Sequence, residues 1–387
     1  MKNYRLVCLL LSNLFFLSLS GQKIKAPIMG WSSWNSFRIH IDENLIKRQA
    51  DALISTGLFK AGYQYINVDD GYFGGRDSRG KLYVDSLKFP NGMGYIAAYI
   101  HQKGLKAGLY SEGGCNTCGS IWDQDKKGIG VGMYGHEKQD AALFFKEWNF
   151  DFIKIDWCGG LAMKLDDRAQ YTKIVEAIRE VKPEAGINIC RWQFPGEWAI
   201  KMVDSWRISQ DIQNNFKSVL GIIDLNKNLD KYASPGHYND MDMLQVGRGM
   251  TYEEDKTHFS MWCMMNSPLL AGNDLTKISK ETIEILTNSE LIALNQDKAF
   301  KQAKFVYNDG EVDVWKKELH HKKQIAVAIL NRSDKAVDYH LTDKKIGVFP
   351  TSKVRDLWQH KNLGKFGKFR IIHLPPHGIV VLKLESN

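Results

Sequence analysis

A series of short apolar segments in this chain ends on side chains that can attack carbon or move protons. After residues 63–68 (Tyr-Gln-Tyr-Ile-Asn-Val) come Asp69 and Asp70. After Leu105–Tyr110 come Ser111 and Glu112, and after Phe152–Ile155 comes Asp156. Residues 186–189 are followed by Cys190, Arg191 and Trp192. Residues 205–209 are followed by Gln210 and Asp211, and the segment around 236–239 by Met241 and Asp242. Any one aspartate is readily a cap or a turn former. Their recurrence behind one strand-like run after another points to a common rim of carboxylates. In Ile153-Lys154-Ile155-Asp156 the strand period of two puts lysine and aspartate on one face and the isoleucines on the other. A lysine facing a sheet interior needs a carboxylate or polar partner. That leaves two readings, a buried ion pair or a carboxylate kept ionised beside an ammonium and so fit to act as a nucleophile. Two carboxylates facing one sugar are what glycoside hydrolysis requires, and a retaining enzyme holds them about 5 to 5.5 Å apart.

The elements that would position this rim alternate along the chain. Strand-like segments at 63–68, 105–110, 152–155, 186–189, 205–209 and 236–239 are interleaved with helical patterns at 91–103, 137–148, 166–181, 251–264 and 280–286. The 166–181 pattern opens with acidic residues and stops before Pro183, as helices prefer. Regular βα alternation argues for a parallel sheet covered by helices. Roughly eight such units favour a closed (β/α)8 barrel, whose active site lies at the C-terminal ends of the strands. From about Lys301 the texture changes to short strand-like runs at 312–315, 324–330, 336–341, 369–374 and 378–384, parted by turns such as Asn308-Asp309-Gly310. This predicts a small antiparallel β-sandwich. The expected layout is a signal peptide over 1–20, a barrel over 21–300 and the sandwich over 301–387.

Composition narrows the function classes. The chain has 387 residues, a formal charge of +8, 44% hydrophobic residues, 11 Trp and 15 Tyr. The basic residues are scattered rather than gathered into a stripe, and no nucleic-acid-binding motif is present, so no nucleic-acid partner is expected. Residues 1–20 combine Lys2 and Arg5 with a broken apolar run from Leu6 to Leu19 and a Ser18-x-Ser20 site, which reads as an export signal rather than a transmembrane span. No later stretch is long and apolar enough for membrane insertion. The expectation is export to a periplasm or beyond the cell. Cys115, Cys118, Cys158, Cys190 and Cys263 then remain, an odd number, so a disulfide and at least one free thiol are expected in an oxidising compartment. Cys115-x-x-Cys118 lies in a glycine-rich loop without a second ligand pair at zinc spacing, which argues against a metal. No dinucleotide fingerprint, phosphate-binding lysine loop or serine-hydrolase elbow occurs. Neither metal nor cofactor is implied.

Several segments, in order, resemble one family. They are Met29-Gly-Trp-Ser-Ser-Trp-Asn, Tyr65-Ile-Asn-Val-Asp-Asp-Gly, Gly104-Leu-Lys-Ala-Gly-Leu-Tyr-Ser, Thr117-Cys118, Phe152-Ile-Lys-Ile-Asp-Trp-Cys and Trp206-Arg-Ile-Ser-Gln-Asp-Ile. Tyr238-Asn-Asp-Met-Asp-Met-Leu, Ser267-Pro-Leu-Leu-Ala-Gly-Asn-Asp-Leu and Leu294-Asn-Gln-Asp follow. Together they resemble glycoside hydrolase family 27, the α-galactosidases and α-N-acetylgalactosaminidases. The resemblance implies a retaining exo-acting α-galactosidase taking a carbohydrate substrate, with Asp156 as nucleophile and Asp211 as acid/base. It further implies sugar contacts from Trp34, Asp69, Asp70, Tyr110, Lys154, Arg207 and Asp242, and a disulfide between Cys118 and Cys158. Asp69 and Asp70 would accept bonds from the 4- and 6-hydroxyls of galactose.

The chain departs from the family pattern in four places. Cys190-Arg191-Trp192 stands where Cys-Glu-Trp is frequent, so Arg191 would meet the sugar's 2-position, an anionic substituent, or an ion-pair partner such as Asp204 or Glu197. Tyr72 replaces a tryptophan, the loop from Ser120 to His136 is longer than usual, and Asn239-Asp-Met-Asp lacks a proline. Alternatives within the same chemistry are a β-L-arabinopyranosidase, an α-N-acetylgalactosaminidase, or a galactosidase for anionic or substituted galactosides. Outside it stand a catalytically silent sugar-binding barrel, which the two aspartates disfavour, and a metal-dependent hydrolase, which the missing histidine ligands disfavour.

Overall fold

The computed structural model describes residues 26–342, 346–368 and 371–386. The expected signal segment 1–20 and Phe369, at the start of one expected strand, lie outside the described residues. Eight parallel strands build the first part: β1 Met29–Ser32, β2 Tyr65–Val68, β3 Lys106–Glu112, β4 Phe152–Asp156, β5 Gly186–Ile189, β6 Ser205–Arg207, β7 Tyr238–Asp240 and β8 Leu269–Ala271. They pair in chain order from β1 to β7, and β8 returns to pair with β1. The seam between β7 and β8 is bridged just past β7, where the Leu244 N–H donates to the Leu270 carbonyl at 2.8 Å. This is the curled (β/α)8 sheet that the alternation predicted.

Its helices start where side chains satisfy the free N–H groups of the first turn. Asp42 caps Glu43–Ser55, Asp166 caps Asp167–Val181, and Thr251 with Glu254 forms a reciprocal capping box on Tyr252–Met264. The helix expected over 137–148 is regular only from Glu137 to Ala142. Beyond it the turns widen, and the Trp148 N–H donates to the Leu143 carbonyl five residues back at 2.8 Å. The wider turn lets three successive apolar residues, Leu143, Phe144 and Phe145, all be buried. Strands β1 and β8 and the helices Glu43–Ser55 and Phe216–Asn226 had no assignment from periodicity.

The second part carries β9 Lys304–Asp309, β10 Val312–Glu318, β11 Gln324–Asn331, β12 Val337–Tyr339, β13 Lys353–Asp356, β14 Lys361–Lys365, β15 Ile372–Leu374 and β16 Ile379–Glu385. Six form one antiparallel sheet in the order β9-β10-β11-β16-β13-β14, and β12 pairs with β15. Alternation divides its side chains between two cores. Trp315, Ala326, Ala328, Leu330 and Val381 join the barrel core, while Val314, Val327, Ile329 and Leu382 form the sandwich's own. The junction is fastened by Lys317, a buried ammonium that donates to the carbonyls of Met264 (3.1 Å) and Lys301 (2.6 Å) and to Asn266. Among the described residues no helix is long and apolar enough to cross a membrane.

Candidate active site

At the C-terminal ends of the strands, acidic and basic side chains alternate around one opening. Asp156 is the last residue of β4 and Lys154 precedes it on the same face. The Lys154 ammonium lies 3.4 Å from Asp156 and 3.3 Å from Asp69, with its Nζ 5.5 Å from the centre of the Tyr110 ring. Asp156 is buried, and its Oδ1 has no hydrogen-bond partner among the described residues. Desolvation pushes its carboxyl above the usual range, with Lys154 opposing and the charge of Asp211 assisting. An unpartnered oxygen beside a fixed ammonium is the arrangement a nucleophilic carboxylate needs.

Asp69 and Asp70 close one side. Asp69 accepts from the Ser32 hydroxyl at 3.3 Å as well as from Lys154. Asp70 has no solvent exposure and accepts from the backbone N–H groups of Gly71 (2.7 Å) and Gly119 (2.6 Å). Burial pushes its carboxyl up to about 7 against those bonds. Gly119 stands in this place because a Cβ there would come within 2.7 Å of the Asp70 oxygen. A disulfide joins Cys118 to Cys158 and so ties the loop after β3 to the loop after β4. Tyr110 accepts from the Cys118 N–H at 3.1 Å, and Tyr72 donates to the Tyr110 carbonyl at 2.9 Å.

The other side is organised by Arg207, the last residue of β6. Its Nη2 lies 2.9 Å from Asp211, 3.0 Å from Asp242 and 3.1 Å from the Ser209 carbonyl. Asp242 adopts φ 77, a conformation costly for a non-glycine residue, and accepts from the backbone of Ile212 and Met243. Burial raises it to about 6 despite Arg207. Asp211 differs, with a side chain 56% exposed. Desolvation pushes its carboxyl up, but Arg207, Lys154 and Arg38 together hold it below the usual range. Trp34 lies at the mouth, its ring centre 4.5 Å from the Arg38 guanidinium carbon.

Of the residues named from sequence, Asp69, Tyr110, Lys154, Arg207 and Asp242 also line a small cavity of about 30 Å³ beneath the opening. That volume holds about one water. A larger cavity of about 660 Å³, lined by Tyr65, Lys106, Asp151 and Asp204 among others, opens at the strands' N-terminal ends, away from this rim. Arg191 turns instead to Asp167 at the start of the helix Asp167–Val181. The anticipated partner Asp204 is engaged by Arg179 at 3.1 Å.

Two contributors had no role assigned from sequence. Glu112, last in β3 and buried, accepts from the backbone N–H groups of Gly114, Cys158 and Gly160, and burial raises it to about 8. Its signal was there, since it follows Tyr110 at strand period on the same face. Arg38 grips Asp123 with two hydrogen bonds of 2.6 and 2.7 Å, a pairing across 85 residues that no local pattern announces. Glu112, Cys118 and Cys158 converge as a metal site would, but both sulfurs are used in the disulfide.

Residues 26–297 match the family described as Alpha galactosidase A, and residues 309–384 match the Alpha galactosidase C-terminal beta sandwich domain. An α-galactosidase A of Cellvibrio japonicus is 40% identical, with 94% of this chain and 93% of that protein aligned. The crystal structure of α-galactosidase I from Mortierella vinacea superposes with a TM-score of 0.85 at 32% identity, covering 94% of this chain and 98% of that one. An α-galactosidase from Saccharomyces cerevisiae, solved with raffinose, gives 0.83 at 26% identity, covering 94% and 98%. The chain therefore belongs to glycoside hydrolase family 27, the α-galactosidase family, and is a glycoside hydrolase.

Proposed function

We propose that this chain is an α-galactosidase that removes terminal α-D-galactosyl residues from oligo- or polysaccharides with retention, using Asp156 and Asp211. The observation that carries the reading is the pairing of a buried, strand-held carboxylate bearing an unpartnered oxygen with an exposed carboxylate near enough for its charge to raise the first. In the first step an Asp156 oxygen bonds to the anomeric carbon and the bond to the leaving oxygen breaks. Asp211 gives its proton to that oxygen. In the second step Asp211 takes a proton from water, the water oxygen bonds to the anomeric carbon, and Asp156 leaves as carboxylate.

The electrostatics suit the exchange of roles. While Asp156 is an anion, it favours a proton on Asp211. Once Asp156 is an ester that charge is gone, and the cations Arg207, Lys154 and Arg38 favour Asp211 as base. Asp69, Asp70, Lys154, Arg207 and Asp242 hold the sugar's hydroxyls, Tyr110 and Trp34 flank it, and Arg191 reaches toward the 2-position from its pair with Asp167. We assign the catalytic unit to 21–300 and the sandwich to 301–387, and read 1–20 as a signal peptide for export to the periplasm or outside. The disulfide is compatible with such a compartment.

The test is hydrolysis of 4-nitrophenyl α-D-galactopyranoside followed by NMR of the first sugar released. The expected result is α-galactose before mutarotation. Release of β-galactose, or no turnover, overturns the reading.

A further inference from the structure

The formal charge of the chain is not shared between its two parts. Residues 301–387 hold 17 of the 52 Lys and Arg and 9 of the 44 Asp and Glu. The rest of the chain therefore balances at 35 of each, and the whole excess of +8 falls on the last 87 residues. An imbalance of this kind bears on what the charged part meets rather than on how it folds. Strand pairing gathers part of the excess on one surface. Lys353 of β13 lies directly opposite Lys365 of β14, and Arg355 of β13 directly opposite Lys383 of β16. Val354, Phe366, Leu382 and Leu384, which alternate with them, belong to the sandwich core, so the four cations share the other face. The turn before β11 adds Lys322 and Lys323, both exposed. It is held beside the end of β16 by the bond from the Ser386 N–H to the Lys323 carbonyl at 2.9 Å.

Little on the protein offsets these charges. Glu290 takes Arg355 with bonds of 2.6 and 2.7 Å, and Glu385 stands opposite Lys353 on β16. Lys322, Lys323, Lys353, Lys365 and Lys383 have no ion-pair partner among the described residues. Like charges directly opposite one another in a sheet are destabilising. Neighbouring strands lie about 4.8 Å apart, and alternate residues about 6.7 Å apart along a strand. Both spacings are below the screening length of about 8 Å at physiological ionic strength, so the lysines act as one field. A row of anions would relieve it. Strand spacing is close to the length of one sugar ring, so a chain of acidic sugars can set successive carboxylates against successive lysines.

We propose that this lysine-bearing face of β13, β14 and β16 binds an anionic polysaccharide and holds the glycoside hydrolase on it. A carbohydrate is the polyanion that brings the barrel to glycosidic bonds. A nucleic-acid duplex would need an element to enter its groove, and a flat sheet face offers none. Such a surface works whichever glycosidic bond the barrel cuts, so it stands apart from the galactosidase reading.

The experiment measures binding of the whole protein to polygalacturonate at about 0.15 M ionic strength and above, with neutral dextran as control. Polygalacturonate is expected to bind, less tightly as salt rises, and dextran not to bind. Lys353→Glu combined with Lys365→Glu should weaken binding about 10-fold or more, because each reversal removes a surface ion pair and puts a like-charge contact in its place. Lys138→Glu combined with Lys277→Glu changes the net charge equally on the barrel, where these side chains are 80% and 82% exposed. That variant should bind within about twofold of wild type, since its reversals lie outside the site. Thermal melting checks that both variants are folded. No binding to polygalacturonate, or an equal loss in both variants, overturns the site. Tighter binding to duplex DNA or to phosphatidylserine vesicles than to polygalacturonate overturns the choice of partner.

Discussion

The two sides of the active-site mouth are built differently, and the difference matches what the proposed mechanism asks of each carboxylate. The Asp156 side is rigid and dry. Asp156 and Lys154 sit on a strand with neighbours on both edges, and Asp70 and Glu112 beside them are buried on backbone amides. The Asp211 side is open. Asp211 stands four residues beyond the end of β6, is more than half exposed, and is tethered by one arginine that it shares with Asp242. A nucleophile must keep one line of approach to one carbon. An acid/base must serve a leaving group and then a water, and it must change its proton affinity between the two steps. Fixed geometry suits the first task, and an exposed group in a tunable field suits the second.

The largest effect tests the rigid side. Asp156→Ala should lower kcat by about 10⁴-fold or more on every galactoside, since no other group can form the ester. Azide added to this variant with an aryl galactoside should give β-galactosyl azide, because the small anion enters from the side the carboxylate vacated. Formation of the α-azide, or residual activity within about 10-fold of wild type, would move the nucleophile elsewhere.

The open side should behave otherwise. Asp211→Ala is expected to lose about 10² to 10⁴-fold, the range of general acid–base catalysis, with the size set by the leaving group. The loss should be greatest for melibiose and smallest for 2,4-dinitrophenyl α-galactoside, whose phenolate leaves without a proton. Azide should restore turnover by attacking the ester, giving α-galactosyl azide. A loss independent of the leaving group would break the contrast between the two sides.

The same contrast separates what is legible in the sequence from what is not. The rim of Asp69, Asp70, Asp156, Asp211 and Asp242 is legible because strand ends in a βα repeat all face one way, and Lys154 because period two ties it to Asp156. The eightfold architecture follows from the alternation, although β1 and β8 do not. Three or four residues of Met29–Ser32 and Leu269–Ala271 carry too little periodicity to separate a strand from any apolar run. Pairing across the chain lies beyond local reasoning. Arg38 with Asp123 is one case, and Arg191 with Asp167 is another, since a guanidinium on a long side chain selects among several nearby carboxylates only once the helices are in place.

A smaller effect concerns the fold itself. Burial raises the carboxyls of Asp70 to about 7, Glu112 to about 8 and Asp242 to about 6, against about 4 in an unfolded chain. Between pH 5 and 7 the folded state therefore keeps protons that the unfolded state has released, and stability falls as pH rises. His258 works the other way. Buried neutral with its pKa pressed to about 3, it adds stability as pH rises toward 6.5. Three carboxyls outweigh one imidazole, so Tm should be several degrees lower at pH 7 than at pH 5 by calorimetry. A Tm that rises over this interval would mean that these buried carboxyls, two on the dry side of the mouth and Asp242 on the other, are wetter or better compensated than their geometry indicates.

The smallest expected effect falls between the two sides. Arg191 follows β5, flanked by β4 with Asp156 and β6 with Arg207, and its guanidinium is committed to Asp167 while remaining partly exposed. Arg191→Glu would replace that pair with two like charges near the surface, a change worth about 1 kcal/mol or less. If the pair serves mainly to place Arg191 near the sugar's 2-position, kcat/KM should fall by less than about 10-fold, carried by KM, and the ratio between plain and anionic galactosides should shift toward the plain one. An unchanged ratio would reduce Arg191 to a strut for the helix Asp167–Val181. A fall of 100-fold or more in kcat would instead place it with the rigid machinery of the Asp156 side, as a group that touches the sugar in the transition state.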